Sequence, residues 1–251
     1  LFNKIHLEGV LIKDHQKDTL LSAGDLSANF TDWFFFKDNI ILNNLGLKDA
    51  TFHLNRSDSV WNYTFLIDYF GVGKKSTSSK RIQFDLKKVK LENVRFIQRD
   101  GWRGEDKDIS FSNFELEADG VDLYKKKIRI RSIAIADPIF ILCNYTGNRP
   151  ELIKVADQNE KIINDPLHLR WNPEDWNVVV DELRLKNGRF NTLKEGDPPT
   201  DNFFDGSNIN FYAITGNLKN IHLIKDYITA TVSLHAKERS GLEVKKLSTD
   251  I

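Results

Sequence analysis

Residues 84–96, FDLKKVKLENVRF, place apolar side chains at Phe84, Leu86, Val89, Leu91, Val94 and Phe96, in steps of two, three, two, three and two. A helix repeats its apolar residues at three and four, and a flat half-buried strand repeats them at two throughout. Neither element produces the mixture. The rhythm returns at Ile40, Leu42, Leu45, Leu47, Ala50 and Phe52, at Ile128, Ile130, Ile133, Ile135, Pro138 and Phe140, and at Val178, Val180, Leu183, Leu185, Gly188 and Phe190. A shorter version opens the chain at Ile5, Leu7, Val10 and Ile12.

The surrounding words match as well. IHLEGVLI, LGLKDATF, VKLENVRF, IAIADPIF and LRLKNGRF share one frame, with Gly, Asp or Asn just before the second apolar pair. Leu7, Leu47, Leu91, Ile135 and Leu185 anchor the copies, 40, 44, 44 and 50 residues apart. Repeats of this kind mark extended arrays rather than single compact cores. Two copies make one unit, and the units are expected at 1–81, 82–165 and 166–251 as one continuous array. The closing LEVKKLSTDI resembles the start of FDLKKVKLEN, and no Met opens the chain, so a piece of a longer protein is expected.

One extra residue every five positions shifts side-chain alternation by one. A β-bulge does this and increases local twist, and Gly, Asn and Asp tolerate the backbone angles required. Each copy therefore reads as a long, bulged strand with one apolar face, spanning roughly 40 Å over 13 residues. The alternative is two short strands joined at EN, EG or KD. Partner strands are expected at 20–30, 108–120, 207–218 and 228–236, giving an antiparallel sheet with one dry and one wet face. Short helices are expected at 58–71, stopped by Gly71, and at 149–162, with Pro150 in the first turn. Loops are expected at 71–81 and 191–202.

Composition excludes more than it suggests. The 36 Lys and Arg balance the 36 Asp and Glu, so the basic excess of a nucleic-acid binder is missing. The single cysteine, Cys143, rules out an internal disulfide and sits in the apolar word IFILC, where burial is expected. No run of 18 apolar residues exists. The six histidines are scattered, and no metal site is expected. GVGKKS (71–76) lacks the spacing of a phosphate loop, GEDKD (104–108) lacks that of a calcium loop, and no G-x-S-x-G elbow occurs. No catalytic residue or cofactor is expected. YKKKIRIR (124–131) reads as a charged wet face, or else as attraction to acidic lipid headgroups. DWFFFKD (32–38) reads as rings capping the core edge or meeting an apolar ligand.

A single-faced apolar sheet must cover that face. Two short helices are too little for so much Ile, Leu, Val and Phe. Either the sheet folds on itself as a sandwich, or it curls into a trough filled by something else.

The words EGVLIKD, KDTLL and AGDLS, followed by LKDATFHL and WNYTFLIDYF, resemble the N-terminal part of TamB-like (translocation and assembly module) proteins of the AsmA superfamily, in the form closest to that of Bacteroidota. The likeness is most specific over residues 1–70 and is one of rhythm beyond. It implies a mainly β fold: an elongated, strongly twisted antiparallel sheet curled into an open apolar groove, with one or two short helices. It implies a lipid-transfer conduit between inner and outer membranes, located in the periplasm and anchored in the inner membrane upstream of Leu1. A C-terminal region would meet an outer-membrane barrel of the BamA/TamA class. The groove-facing series carried over is Ile5, Leu7, Val10, Ile40, Leu42, Leu45, Leu47, Phe52, Phe84, Leu86, Val89, Leu91, Val94, Phe96, Ile128, Ile130, Ile133, Ile135, Phe140, Val178, Val180, Leu183, Leu185 and Phe190, with phospholipid acyl chains as the partner. The competing expectations are a scaffold for outer-membrane protein assembly, working through a sheet edge, and a closed β-sandwich binding module.

Overall fold

The computed structural model describes residues 4–30, 39–66, 81–122, 125–150, 172, 174–200 and 203–250. Its strands are β1 (Lys4–Lys13), β2 (Thr19–Phe30), β3 (Asn39–Arg56), β4 (Arg81–Asp100), β5 (Glu105–Asp122), β6 (Lys127–Ala136), β7 (Ile139–Asn144), β8 (Asn177–Lys194), β9 (Asn210–Ile224), β10 (Tyr227–Glu238) and β11 (Glu243–Asp250). All eleven belong to one sheet, ordered β1-β2-β3-β4-β5-β6-β8-β9-β10-β11. β6 and β7 share one lane between β5 and β8. The lane breaks at Asp137–Pro138, because Pro138 has no N–H to offer the ladder.

The fold is mainly β, as the rhythm predicts. The four expected partner strands correspond to β2, β5, β9 and β10. Residues 64–66 are helical, within the first expected helix. The rest of that helix from 67 onward, almost all of the second, the loop at 71–80 and the rings of Trp33 to Phe36 lie outside the described residues. β8 runs on to Lys194, taking in the first four residues of the segment expected as a loop from Asn191.

Two expectations are corrected. The sheet is mixed rather than antiparallel: β3 runs parallel to β4, and β6 and β7 run parallel to β8. Parallel neighbours need a crossover of about a dozen residues or more. The chain between Arg56 and Arg81, and between Asn144 and Asn177, is long enough to return to the starting edge. The result lays like on like, with Leu47 opposite Leu91 and Ile135 opposite Leu185.

The second correction concerns the bulges. Gly9, Asp49, Asn93, Asp137 and Asn187, each two residues after an anchor, adopt positive φ of 64°, 50°, 51°, 50° and 54°. A bulge sets two residues against one. Here the register is the same before and after these positions: Leu7 pairs Leu26 and Val10 pairs Ala23, while Leu47 pairs Leu91 and Ala50 pairs Val94. Each neighbour skips a residue of its own, so Asp49 lies between Gly24 and Asn93. The left-handed residues of β1, β3, β4, the β6–β7 lane and β8 thus fall on one line across the sheet, which we call the crease. A register shift does fall at Asn187, where β8 meets β9 between Leu185 and Phe190, and others lie between Leu42 and Asn44 in β3 and within the β9–β10 and β10–β11 pairs.

Side chains tie the crease together on the polar face. Asn93 Nδ2 donates to Asp49 Oδ1 at 2.7 Å, and Asn187 Nδ2 donates to Asp137 Oδ1 at 2.8 Å. Ser112 Oγ donates to Asp137 Oδ2 at 2.7 Å. The amide and carboxylate types that tolerate left-handed φ thus also satisfy one another.

Candidate functional site

Registered cross-strand partners share a face, so the pairing defines what each face carries. One row runs Leu7–Leu26–Leu47–Leu91–Phe114–Ile135–Leu185–Gly216–Leu234–Leu247. Beside it runs Ile5–Ala28–Leu45–Val89–Leu116–Ile133–Leu183–Leu218–Val232. Across the crease lies Val10–Ala23–Ala50–Val94–Phe111, and then Ile12–Leu21–Phe52–Phe96–Ile109–Phe140–Phe190–Phe211. At about 4.8 Å per strand, a row crossing ten strands extends roughly 43 Å. The face is therefore apolar along the whole hydrogen-bonding direction.

The crease shapes this face. Ala50 and Val94, immediately after the kink residues, are 1% exposed. They form a buried cluster with Leu21, Ala23 and Leu47, and Val10, Ile12, Leu26, Phe52, Leu91, Phe96 and Phe111 pack around it. Ala118, Ile130 and Val180 centre a second cluster. The walls carry stacked rings: Phe52 on Phe96 at 4.6 Å and Phe140 on Phe190 at 5.5 Å between centroids. Alanines of β2 and β3 thus lie at the fold line, with larger side chains on the flanks.

The predicted groove residues fall together on this face. Leu42, Leu47, Val89, Val94, Ile130 and Val180 are buried. Ile5, Val10, Leu45, Phe52, Leu91, Phe96, Ile128, Ile133, Ile135, Phe140, Val178, Leu183, Leu185 and Phe190 are half-buried, and Leu7 is exposed. Leu86 is half-buried but falls in the register gap of β4. Ile40 and Phe84 lie in strands, and their side chains fall outside the described residues. No described strand forms a second layer, so most of these residues keep part of their surface open. Sequence reasoning missed the contribution of the partner strands: Leu21, Ala23, Leu26 and Ala28 in β2, and Ile109, Phe111, Phe114 and Leu116 in β5. Both sets repeat the two-three-two step.

The opposite face is a charge mosaic. Arg131 pairs with Asp119 at 2.5 Å and Arg129 with Asp181 at 3.1 Å, and Arg95 pairs with Asp108. His6, Glu8 and Asp25 cluster there, with contacts of 3.4 and 3.5 Å from His6 to the two carboxylates. This grouping was not anticipated by spacing, because Asp25 joins across the β1–β2 pair. Cys143 is half-buried rather than buried, in β7 opposite Asp106 and Leu193.

At the C-terminal ends of β3 and β4, Arg56 grips Asp100 through two hydrogen bonds of 2.7 and 2.6 Å. The side chains are 11% and 4% exposed, and the guanidinium lies 4.5 Å from the Trp61 ring centre. Burial pushes the Asp100 pKa up, but the Arg56 hydrogen bonds, the Arg103 N–H and the charge of both arginines outweigh it and hold the carboxyl below its ordinary value. Nearby, Tyr145 donates to Asp106 at 2.7 Å, and burial followed by this hydrogen bond pushes its pKa up to about 12.

Fold and site together define a mainly-β protein of one large mixed sheet, with one apolar and one polar face. No family model, curated protein or solved structure matches the chain. No helix among the described residues is long and apolar enough to cross a membrane.

Proposed function

We propose that this chain is a segment of a lipid-transfer conduit, moving phospholipid between two membranes with its acyl chains on the creased apolar face. One observation carries the reading: apolar rows continue without a polar break across successive strands and remain half-open. A stable soluble sheet ordinarily closes such a face with a second layer. A lipid leaving a bilayer exposes its tails to water at about 0.8 kcal/mol per CH₂. A continuous trough removes most of that cost at every step, so transport needs no covalent chemistry. The resemblance to TamB-like proteins points the same way. It also carries the proposal of a periplasmic location, an inner-membrane anchor and an outer-membrane BamA/TamA-type partner.

Native mass spectrometry of the purified chain tests the reading. Bound phospholipid is expected for the wild type and is lost in Leu91→Asp/Ile135→Asp, with β content by circular dichroism unchanged. A wild-type chain that carries no lipid, or a double variant that binds it equally, overturns the proposal.

A second reading has its own observation. β1 is an edge strand with Leu7 and Leu11 at 48% and 56% exposure, and exposed edges recruit further strands. A scaffold for outer-membrane protein assembly would act through that edge. Crosslinks from β1 to barrel strands, without lipid adducts on the apolar face, would favour it.

A further inference from the structure

One cluster on the polar face departs from the charge pattern around it. Along most of that face carboxylates meet Lys or Arg: Glu92 meets Lys48 and Lys90, Glu117 meets Lys88 and Arg131, and Asp119 meets Arg129 and Arg131. The pattern changes at the β1 edge. Glu8 of β1 and Asp25 of β2 are direct cross-strand partners, and like charges directly opposite each other destabilise a strand pair. Among the described residues, the only ion-pair contact of either carboxylate is with His6. Lys48, the registered neighbour of Asp25 on its other side, reaches Glu92 at 4.0 Å instead. His6 Nε2 lies 3.4 Å from Glu8 Oε1 and 3.5 Å from Asp25 Oδ1.

Strand geometry sets this arrangement. His6 and Glu8 are two residues apart on β1 and project from one face, and the β1–β2 pairing brings Asp25 beside them. The three donor atoms lie within 4.8 Å of one another. Zn²⁺ takes imidazole nitrogen at about 2.0–2.1 Å and carboxylate oxygen at about 2.0–2.2 Å, with tetrahedral angles. Those lengths and angles set neighbouring donors about 3.3–3.5 Å apart, which is the spacing His6 keeps from each carboxylate. The two carboxylates have only to draw together, and the Glu8 side chain, 79% exposed, is free to turn. A cation between them replaces their repulsion with attraction. The most covered of the three side chains is still 41% exposed, so water reaches the fourth position. An imidazole among the donors favours a first-row transition ion over Mg²⁺ or Ca²⁺, which take oxygen.

We propose that His6, Glu8 and Asp25 form a site for a divalent transition-metal ion of the Zn²⁺ class at the outermost strand pair of the sheet. Two ligands come from β1 and one from β2, so the bound ion pins the edge strand to its neighbour. The site is independent of the conduit reading, since it lies on the polar face and needs no lipid.

Equilibrium dialysis against buffered Zn²⁺, with bound metal counted by mass spectrometry, tests the site, and Mg²⁺ is the second probe. The wild type is expected to bind one more Zn²⁺ per chain than His6→Ala, and Asp25→Asn to hold that ion at least about tenfold more weakly. Equal Zn²⁺ binding by the wild type and His6→Ala overturns the site. Mg²⁺ displacing that ion at equal concentration reduces the cluster to two carboxylates that attract any cation, and overturns the assignment. Amide hydrogen exchange reads the pinning. At Zn²⁺ about ten times its Kd, the β1 amides bonded to β2 should exchange about tenfold more slowly in the wild type, with no such slowing in His6→Ala. Unchanged exchange in the metal-loaded wild type overturns the pinning. The three side chains lie outside both buried clusters, so both variants should keep the wild-type β content by circular dichroism.

Discussion

Asn93→Val tests whether the crease is a property of backbone conformation. Asn93 sits at φ 51° with its side chain exposed, so a substitution changes little buried area. A β-branched residue forced into the left-handed region costs about 1–2 kcal/mol. The Asn93–Asp49 hydrogen bond, 2.7 Å long, adds about 1 kcal/mol when lost. The variant should therefore be destabilised by about 2–3 kcal/mol. Asn93→Gly loses the same hydrogen bond but relieves the backbone, so its net change should stay within about 1 kcal/mol. Urea denaturation followed by circular dichroism measures both. An ordinary extended strand would reverse the order, because valine favours strands and glycine weakens them. Valine equal to or better than glycine at this position would refute the left-handed backbone on which the crease rests.

Other expectations follow from the same geometry. A Cβ on Gly104, at φ 77°, would fall 2.1 Å from the Tyr145 carbonyl oxygen, so Gly104→Ala should lower stability by at least ~2 kcal/mol by urea titration. Arg56→Ala leaves Asp100 buried without its partner and should cost about 3 kcal/mol. Because the Asp100 pKa is depressed in the folded chain, its stabilising contribution is present above the unfolded carboxyl value and is lost as pH falls through the folded one; Asp100→Asn should flatten the acid limb of stability against pH. Tyr145 works in the opposite sense: its contribution is complete below the ordinary tyrosine value and disappears as pH rises toward about 12. Tyrosinate absorbance should show one late-titrating group that Tyr145→Phe removes.

Much of this architecture can be read from the chain alone. The stepping of two and three marks where alternation breaks, and the Gly, Asp or Asn before each second pair marks the left-handed residue. All five such positions adopt positive φ. The physical form of the break was not readable. A bulge and a shared kink leave the same trace in one strand, and only the neighbour's matching residue, such as Gly24 or Ser112, distinguishes them. Pairing direction was equally hidden, since it depends on the path of the crossovers rather than on local pattern. β2 and β5 keep the rhythm but dilute it with Ala, Ser and Phe, so their share of the apolar face went unnoticed.

Site-specific photocrosslinking in living cells tests the central claim most directly. With the photoreactive residue at Leu91 or Ile135, on the creased apolar face, phospholipid adducts should form. At Glu92 or Ala136, the next residues along the same strands but on the opposite face, they should not. Adducts on both faces alike, or on neither, would contradict an acyl-chain path along the crease.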